Sequence, residues 1–401
     1  MHIRINIPAW GIQEYISSLF ALFPLRRNYY LNQLKKEILT FVGNRRVYLL
    51  SSGRFGAYAA IKQLGLLHPR IAIPAYVCPS VIEAVRLAGA EPFFIDVEES
   101  SICFNREILV KTIRQGQVDA ILAPNTYGLD QDFRFLMDLG LPVIEDAAYQ
   151  AGYKMQDSDT ACGLRCSTGI WSFNFKALTS VGGGVLFSRE PIRELENLPR
   201  PYLNQSQMSR YINYLVRSIL RTAIPKKMPG AIPPTFYDFQ EIRPSHLHFS
   251  RSGMSNLQAA IALTQWKKRE SIFERQIRHG KMLQKAVDEN SVLSMLNEQK
   301  KGALVHLFPI LLNIRASHCS DAVLKFRQIL YQQSIQTENP YPIGHVRPDT
   351  HPNVYNLVSR LILLPCNASL KVEHMRKIAR ALAAASEKIS KQYKQQSAGI
   401  I

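Results

Sequence analysis

Between residues 47 and 188 short apolar runs alternate with stretches whose apolar residues recur at helical spacing. The runs are Val47–Leu50, Ile71–Ile73, Pro92–Val97, Ala120–Ala123, Pro142–Ile144 and Gly184–Phe187. Strands alternating with helices imply a mainly parallel sheet with helices on both faces. The pattern therefore predicts an α/β fold: a large domain with a mainly parallel sheet sandwiched by helices, plus a smaller α/β C-terminal domain. For the latter it predicts a strand near Leu304–Leu312, a helix around Ser320–Gln333, a strand near Leu361–Leu364 and a closing helix from Lys371. The tail after Lys388 is polar and reads as frayed. A long helix from Met254 to about Asn290, with Leu257, Ile261, Leu263 and Trp266 as apolar positions, would connect the two. The expected division is an N-terminal segment 1–30, a large domain 31–253, a connecting helix 254–290 and a small domain 291–401.

Residues 190–250 interrupt the alternation with eight prolines and a surplus of Arg, Lys and Tyr. Inside this insertion Tyr211–Ile224 reads as a short basic amphipathic helix, with Ile212, Leu215, Ile219 and Leu220 against Arg210, Arg217 and Arg221. Packing on the protein body or on a second subunit is the favoured reading of that helix. Peripheral contact with an anionic membrane is the alternative.

In open α/β sheets ligands gather at the carboxyl ends of the strands. Ser52, Tyr76, Tyr127, Asp146 and Lys176 all fall at or just after predicted strand ends. Three local patterns stand out among them. Pro142-Val143-Ile144-Glu145-Asp146 is an apolar run ending in acid. Ser172-Phe173-Asn174-Phe175-Lys176 places a lysine just before Gly182-Gly183-Gly184. Leu49-Leu50-Ser51-Ser52-Gly53-Arg54-Phe55-Gly56 reads as strand, small-residue turn and helix start. Gly53 permits close backbone approach, and first-turn N–H groups suit an anion. Each pattern has an ordinary explanation: a surface lysine, an N-cap, a capped helix. Together they are what a pyridoxal-phosphate enzyme needs, with Lys176 condensing with the cofactor aldehyde and Asp146 keeping the pyridine nitrogen protonated.

With these residues the chain resembles the DegT/DnrJ/EryC1/StrS aminotransferases, a sugar aminotransferase group of fold-type I pyridoxal-phosphate enzymes. Further matches are Ile73-Pro74-Ala75-Tyr76, Gly89-Ala90-Glu91-Pro92-Phe93-Phe94-Ile95-Asp96, Tyr127-Gly128, Ile144–Ala148, Leu257-Gln258-Ala259-Ala260 and Leu364-Pro365, in order over roughly residues 30–385. The resemblance implies that the Arg54 and Phe55 N–H groups and the Ser172 hydroxyl hold the cofactor phosphate, with Tyr76 or Cys78 against the ring. It implies a homodimer in which Arg251 reaches the neighbouring subunit's cofactor, and a loop through His345 that faces substrate. The chain departs from the family in three places. Tyr149 stands where the family has Gln, Ser172 lies four rather than five residues before the lysine, and Ser250-Arg251-Ser252-Gly253-Met254 lacks the usual Asn. A phenol at Tyr149 would address the cofactor's ring oxygen.

Composition narrows the classes. The 401 residues suffice for one major and one minor domain. No run of 18 or more apolar residues suggests a spanning helix, and the first 25 residues lack a signal-peptide pattern. Six cysteines in this length argue for reduced thiols and a cytoplasmic setting. Cys162 and Cys166 have no second pair at metal-site spacing, so no metal is expected. The net charge of +18 is spread along the chain and accompanies no nucleic-acid motif, so no nucleic-acid partner is expected. The expected activity is transfer of an amino group from an amino acid, glutamate by resemblance, to a keto or aldehyde sugar or related carbonyl. Another pyridoxal-phosphate reaction on the same fold, or a non-catalytic relative, are the alternatives.

Overall fold

The computed structural model describes residues 3, 5, 7–23, 28–155, 158–199, 208–209, 211–212, 250–297, 304–314 and 319–398. Seven strands make the larger sheet: β1 (Arg46–Leu50), β2 (Arg70–Pro74), β3 (Glu91–Ile95), β4 (Ala120–Pro124), β5 (Val143–Asp146), β6 (Thr168–Asn174) and β7 (Val181–Ser188). Their order is β1-β7-β6-β5-β4-β2-β3. The pairings from β3 to β6 are parallel, and β7 runs antiparallel to both β6 and β1.

Side-chain alternation builds the layers on either face. Ile71, Ile73, Ala120, Leu122 and Ile144 pack in one cluster with the helices Gly53–Gln63 and Pro79–Leu87. Ala72, Ile121, Ala123 and Val143 pack on the other face with Leu109 of the helix Arg106–Arg114 and Phe133 of the helix Phe133–Met137. A third cluster buries Leu257, Ile261 and Trp266 of the helix Asn256–Lys267 against Trp171 and Val185.

Three strands, β8 (Leu293–Met295), β9 (Leu307–Leu312) and β10 (Leu361–Pro365), form a smaller antiparallel sheet in the order β10-β9-β8. The helices Arg269–Asp288, Cys319–Gln332, Pro352–Arg360 and Val372–Ala398 contribute to its cluster.

Three expectations are corrected. β6 is a buried strand that left no apolar run, because Thr168, Gly169, Ser172 and Asn174 dilute it, although placing Lys176 after a strand end presumed one there. The single connecting helix is two, meeting at Lys268, whose ammonium reaches the buried Glu14 carboxylate at 2.9 Å. The C-terminal helix does not fray at Lys388: Ile389 and Tyr393 are buried, and the Tyr393 hydroxyl donates to Asp321. The basic helix expected over Tyr211–Ile224 lies outside the described residues except at Tyr211 and Ile212. Tyr211 is buried, with its hydroxyl 2.8 Å from Ser18 Oγ.

A tight contact joins the two sheets at the turn after β4. The turn Thr126–Gly128 follows β4, with Tyr127 and Gly128 both at positive φ. A Cβ on Gly128 would lie 1.9 Å from the Leu304 carbonyl oxygen. Glycine is required there both by φ, at +91°, and by the approach of the chain leading into β9. Gly128→Ala should therefore lower stability by more than about 2 kcal/mol. Thermal melting of the two proteins tests this, and an unchanged melting temperature would show that the contact is dispensable.

Candidate active site

β1, β2, β4, β5 and β6 bring their carboxyl ends to one cleft of about 600 Å³. Ser52, Gly53 and Arg54 enter it from the turn after β1, Cys78 from beyond β2, Asn125 and Thr126 from beyond β4, and Asp146 and Tyr149 from the end of β5. Ser172, Asn174 and Lys176 come from β6 and the loop after it. His306 and Leu307 at the start of β9 and the loop Glu338–Tyr341 close the opposite side.

The backbone is shaped for close approach. A Cβ on Gly53 would come within 2.9 Å of Ser172 Cβ, so Gly53 is what lets the helix start lie against β6. Ser52 caps that helix by accepting from the Phe55 N–H at 3.2 Å. The Phe55 N–H is thus already bound, and its ring is buried in the helix layer away from the cleft. The Arg54 N–H remains, at a helix start where no intrahelical acceptor exists. The Arg54 guanidinium pairs with Glu83 at 2.7 Å and donates to Ser80 at 3.0 Å.

Burial sets the charge states. It pushes the Asp146 carboxyl up to about 6, against the opposing effects of the Ala148 N–H bond and the nearby Lys176 cation. A buried acid in that state is stabilised by a cationic partner. The Lys176 ammonium lies 3.4 Å from the centre of the Tyr149 ring, a close cation–π contact. The Tyr149 hydroxyl is 2.6 Å from that of Tyr341. Behind them Tyr76 and Tyr127 pair through their hydroxyls at 2.6 Å, and the Tyr341 N–H donates to Tyr76. Burial raises the Tyr127 and Tyr341 phenols well above their ordinary range.

Of the residues chosen from sequence, Lys176, Asp146, Gly53, Arg54, Tyr149 and Ser172 share the cleft. Four do not line it. Phe55 packs in the core. Tyr76 is fully buried behind Tyr341, and Cys78 takes the exposed place of that pair. Arg251 stacks over the Tyr58 ring at 4.5 Å. His345 bonds the Ala75 carbonyl at 3.0 Å and packs on Phe94, and burial holds its imidazole down to about 4. The cleft also contains His306, Asn125 and Tyr341, which sequence reasoning passed over or left as ordinary polar residues. Their signal would have been position, since His306 directly precedes a strand and Tyr341 lies in a Pro-rich loop. Gln150, beside the substituted Tyr149, is buried and bonds Asn125 and the Gly128 carbonyl instead.

The residues present fit pyridoxal phosphate. A lysine amine, a buried acid lacking a full counter-ion, a glycine cradle and the buried, unpartnered Asn174 Oδ1 meet in one space. Among the described residues no group of acidic, His or Cys side chains could hold a metal, and no helix is long and apolar enough to cross a membrane.

Solved structures share the fold over nearly the whole chain. Spr1654 from Streptococcus pneumoniae in its PMP form superposes with a TM-score of 0.74 at 15% identity, covering 98% of this chain and 100% of that one. Helicobacter pylori PseC, an aminotransferase involved in the biosynthesis of pseudoaminic acid, gives 0.71 at 15% identity, with 97% and 100% covered. NtdA from Bacillus subtilis with bound PMP gives 0.70 at 20% identity, with 96% and 86% covered. The model of one family matches residues 25–383, a span that takes in both sheets and every described wall of the cleft. The chain therefore belongs to the DegT/DnrJ/EryC1/StrS aminotransferase family and, as a member, is a pyridoxal-phosphate-dependent aminotransferase.

Proposed function

We propose that the chain moves an amino group from an amino acid, glutamate, to the carbonyl carbon of a keto or aldehyde sugar. The observation that carries this reading is Lys176 facing, across one cleft, the polar loop Glu338–Tyr341. A lysine rather than a histidine at this position favours amino transfer over the family's sugar dehydrations. The part PseC plays in pseudoaminic acid biosynthesis supports a sugar acceptor.

When bound, pyridoxal phosphate supplies an aldehyde for condensation with amines and a ring that withdraws electrons. Lys176 would anchor it in the resting enzyme, with Ser172 and the Arg54 N–H at the phosphate. Asp146 would hold a proton on the ring nitrogen, where its carboxylate gains the cation that burial makes it want. Once released by the donor, Lys176 Nζ would take the proton from the donor's α carbon. In the second half-reaction it would deliver one to the former carbonyl carbon of the acceptor. The Tyr149 ring holds the ammonium by its face, and the bond to Tyr341 fixes that ring. We further propose a homodimer in which Arg251 serves the partner's site, since within one chain it does not reach the cleft. In each chain the cleft would lie between a large domain, 31–253, and a small one, 291–401.

Lys176→Ala should abolish amino transfer. Borohydride reduction of the wild-type holoenzyme followed by peptide mapping should place the cofactor's mass on Lys176, and labelling at another lysine would overturn the assignment.

Asp146→Asn should lose activity by several orders of magnitude, and near-normal turnover would make this acid merely structural. Stability offers a second readout in cofactor-free protein. Native Asp146 keeps its proton to about pH 6, whereas the unfolded chain releases it near 3.8. The native state binds more protons in that window, so stability falls as pH rises through it and stays lower above it. The difference corresponds to roughly 3 kcal/mol. Cofactor-free Asp146→Asn should thus melt higher than wild type at pH 8 and lose that advantage at pH 4.

Arg251→Ala should also be inactive. Mixing it with Lys176→Ala protein, after subunit exchange, should restore some activity. No recovery in demonstrated heterodimers would count against a site shared between subunits.

A further inference from the structure

His306 lies on the cleft wall and takes no part in the chemistry above. It directly precedes β9, and its backbone N–H donates to the Tyr127 carbonyl at 3.3 Å. Leu304, two residues before it, is seated on Gly128. The backbone thus places the imidazole, and the ring needs no hydrogen bond of its own to be there. Only 7% of the residue is exposed, and its Nδ1 is buried and unpaired among the described residues, so the ring nitrogen that can meet a ligand in the cleft is Nε2. His345 and His351, which do not line the cleft, bond the carbonyls of Ala75 and Phe94 through Nε2, although His345 Nδ1 is likewise unpaired.

A buried polar atom left unpaired costs about 1–3 kcal/mol, and native proteins rarely keep one without a reason. An apolar residue would fill the same space without that penalty. Burial first, and the Lys176 charge second, push the His306 imidazole down to about 3, so the ring is neutral at any working pH. A neutral imidazole carries one donor and one acceptor nitrogen. Nε2 can therefore donate to a hydroxyl or accept from it, whichever tautomer is present, since a hydroxyl does both. It does not match a carboxylate, which only accepts and is better served by a cation.

We propose that His306 positions the carbonyl acceptor by hydrogen bonding one of its hydroxyl groups beside Lys176, and so selects polyhydroxylated acceptors. This rests on the sugar-acceptor reading above. It makes His306 a specificity-determining residue opposite the catalytic lysine, within the same wall as Asn339 and Tyr341.

The test compares two acceptors on holoenzyme carrying the amino group. One is a nucleoside-diphosphate-linked keto-hexose, rich in hydroxyls. The other is 2-oxoglutarate, which has none. His306→Leu should lower kcat/KM for the keto-hexose by about 10- to 100-fold and change that for 2-oxoglutarate by less than about threefold. His306→Asn should recover part of the loss, because an amide keeps a donor and an acceptor. Equal losses on both acceptors would mean a structural role, and an unaffected keto-hexose reaction would mean none; either result overturns the proposal. If His306→Leu does not fold, His306→Met and His306→Asn holoenzymes carry the same comparison. A wild-type enzyme that aminates 2-oxoglutarate but no hydroxylated carbonyl would remove the sugar reading, and this inference with it. Wild-type activity on the keto-hexose that survives in the His306 variants would remove the inference alone.

Discussion

Two adjacent carboxylates end β5, and the site depends on their being sent to opposite faces of the sheet. Successive strand residues alternate, so Glu145 and Asp146 cannot share an environment. Glu145 is wholly buried and fully engaged. It accepts the Gly163 N–H at 2.6 Å, the Arg165 N–H at 2.9 Å and the Arg165 guanidinium, which also grips Asp130. A buried charge survives when paired and hydrogen-bonded in this way. The same network ties the strand end to the loop before β6, where Gly169 lies so close to Gly163 that a Cβ would meet its carbonyl oxygen at 1.8 Å. Asp146, on the other face, accepts from the Ala148 N–H and meets the Lys176 charge at longer range. One carboxylate spends its charge on architecture. Its neighbour is left raised, which is what the proposed role at the cofactor's ring nitrogen would use.

The same division of labour appears among the aromatic side chains between the sheets. Tyr76 and Tyr127 are fully buried and satisfy each other, stacking behind Tyr341, which comes from the far wall. Tyr341 then bonds Tyr149, whose ring face carries Lys176. A displacement of the loop Glu338–Tyr341 is therefore felt at the lysine through two phenols. The contact at Gly128 fixes the other flank of that wall, and with it His306. Lys176 is held from both sheets, although it is supplied by only one.

The fold was largely legible because parallel strands buried on both faces leave near-continuous apolar runs, as Ile71–Ile73 and Ala120–Ala123 do. β6 escaped because it runs beside Gly163 and faces the cleft, and those duties demand Gly169, Ser172 and Asn174 rather than apolar residues. Lys176, Asp146 and Gly53 were readable because each sits at a strand end, where position in sequence translates directly into position in space. Tyr76, two positions past β2, and Phe55, in the first turn of the helix after β1, point into the core, and no local pattern records which way such residues will face. His306 and Tyr341 were missed for a different reason. They reach the cleft only through packing of the second sheet onto the first, and that contact joins residues nearly 180 positions apart, as Leu304 and Gly128 do.

Charge within the cleft is nearly balanced. Arg54 is paired with Glu83, Lys176 and Asp146 oppose each other at longer range, Glu338 adds a further acid, and His306 is neutral. The net charge of +18 must then reside elsewhere on the chain. Surface charge of one sign acts over a screening length of about 8 Å at physiological ionic strength and raises the local concentration of anions. Under the proposed function, a nearly neutral cleft inside a positively charged protein would suit an acceptor whose reacting part is an uncharged sugar and whose remote part is anionic. Binding energy collected on the anionic part can be used to orient the carbonyl against Lys176 without placing a competing charge beside it.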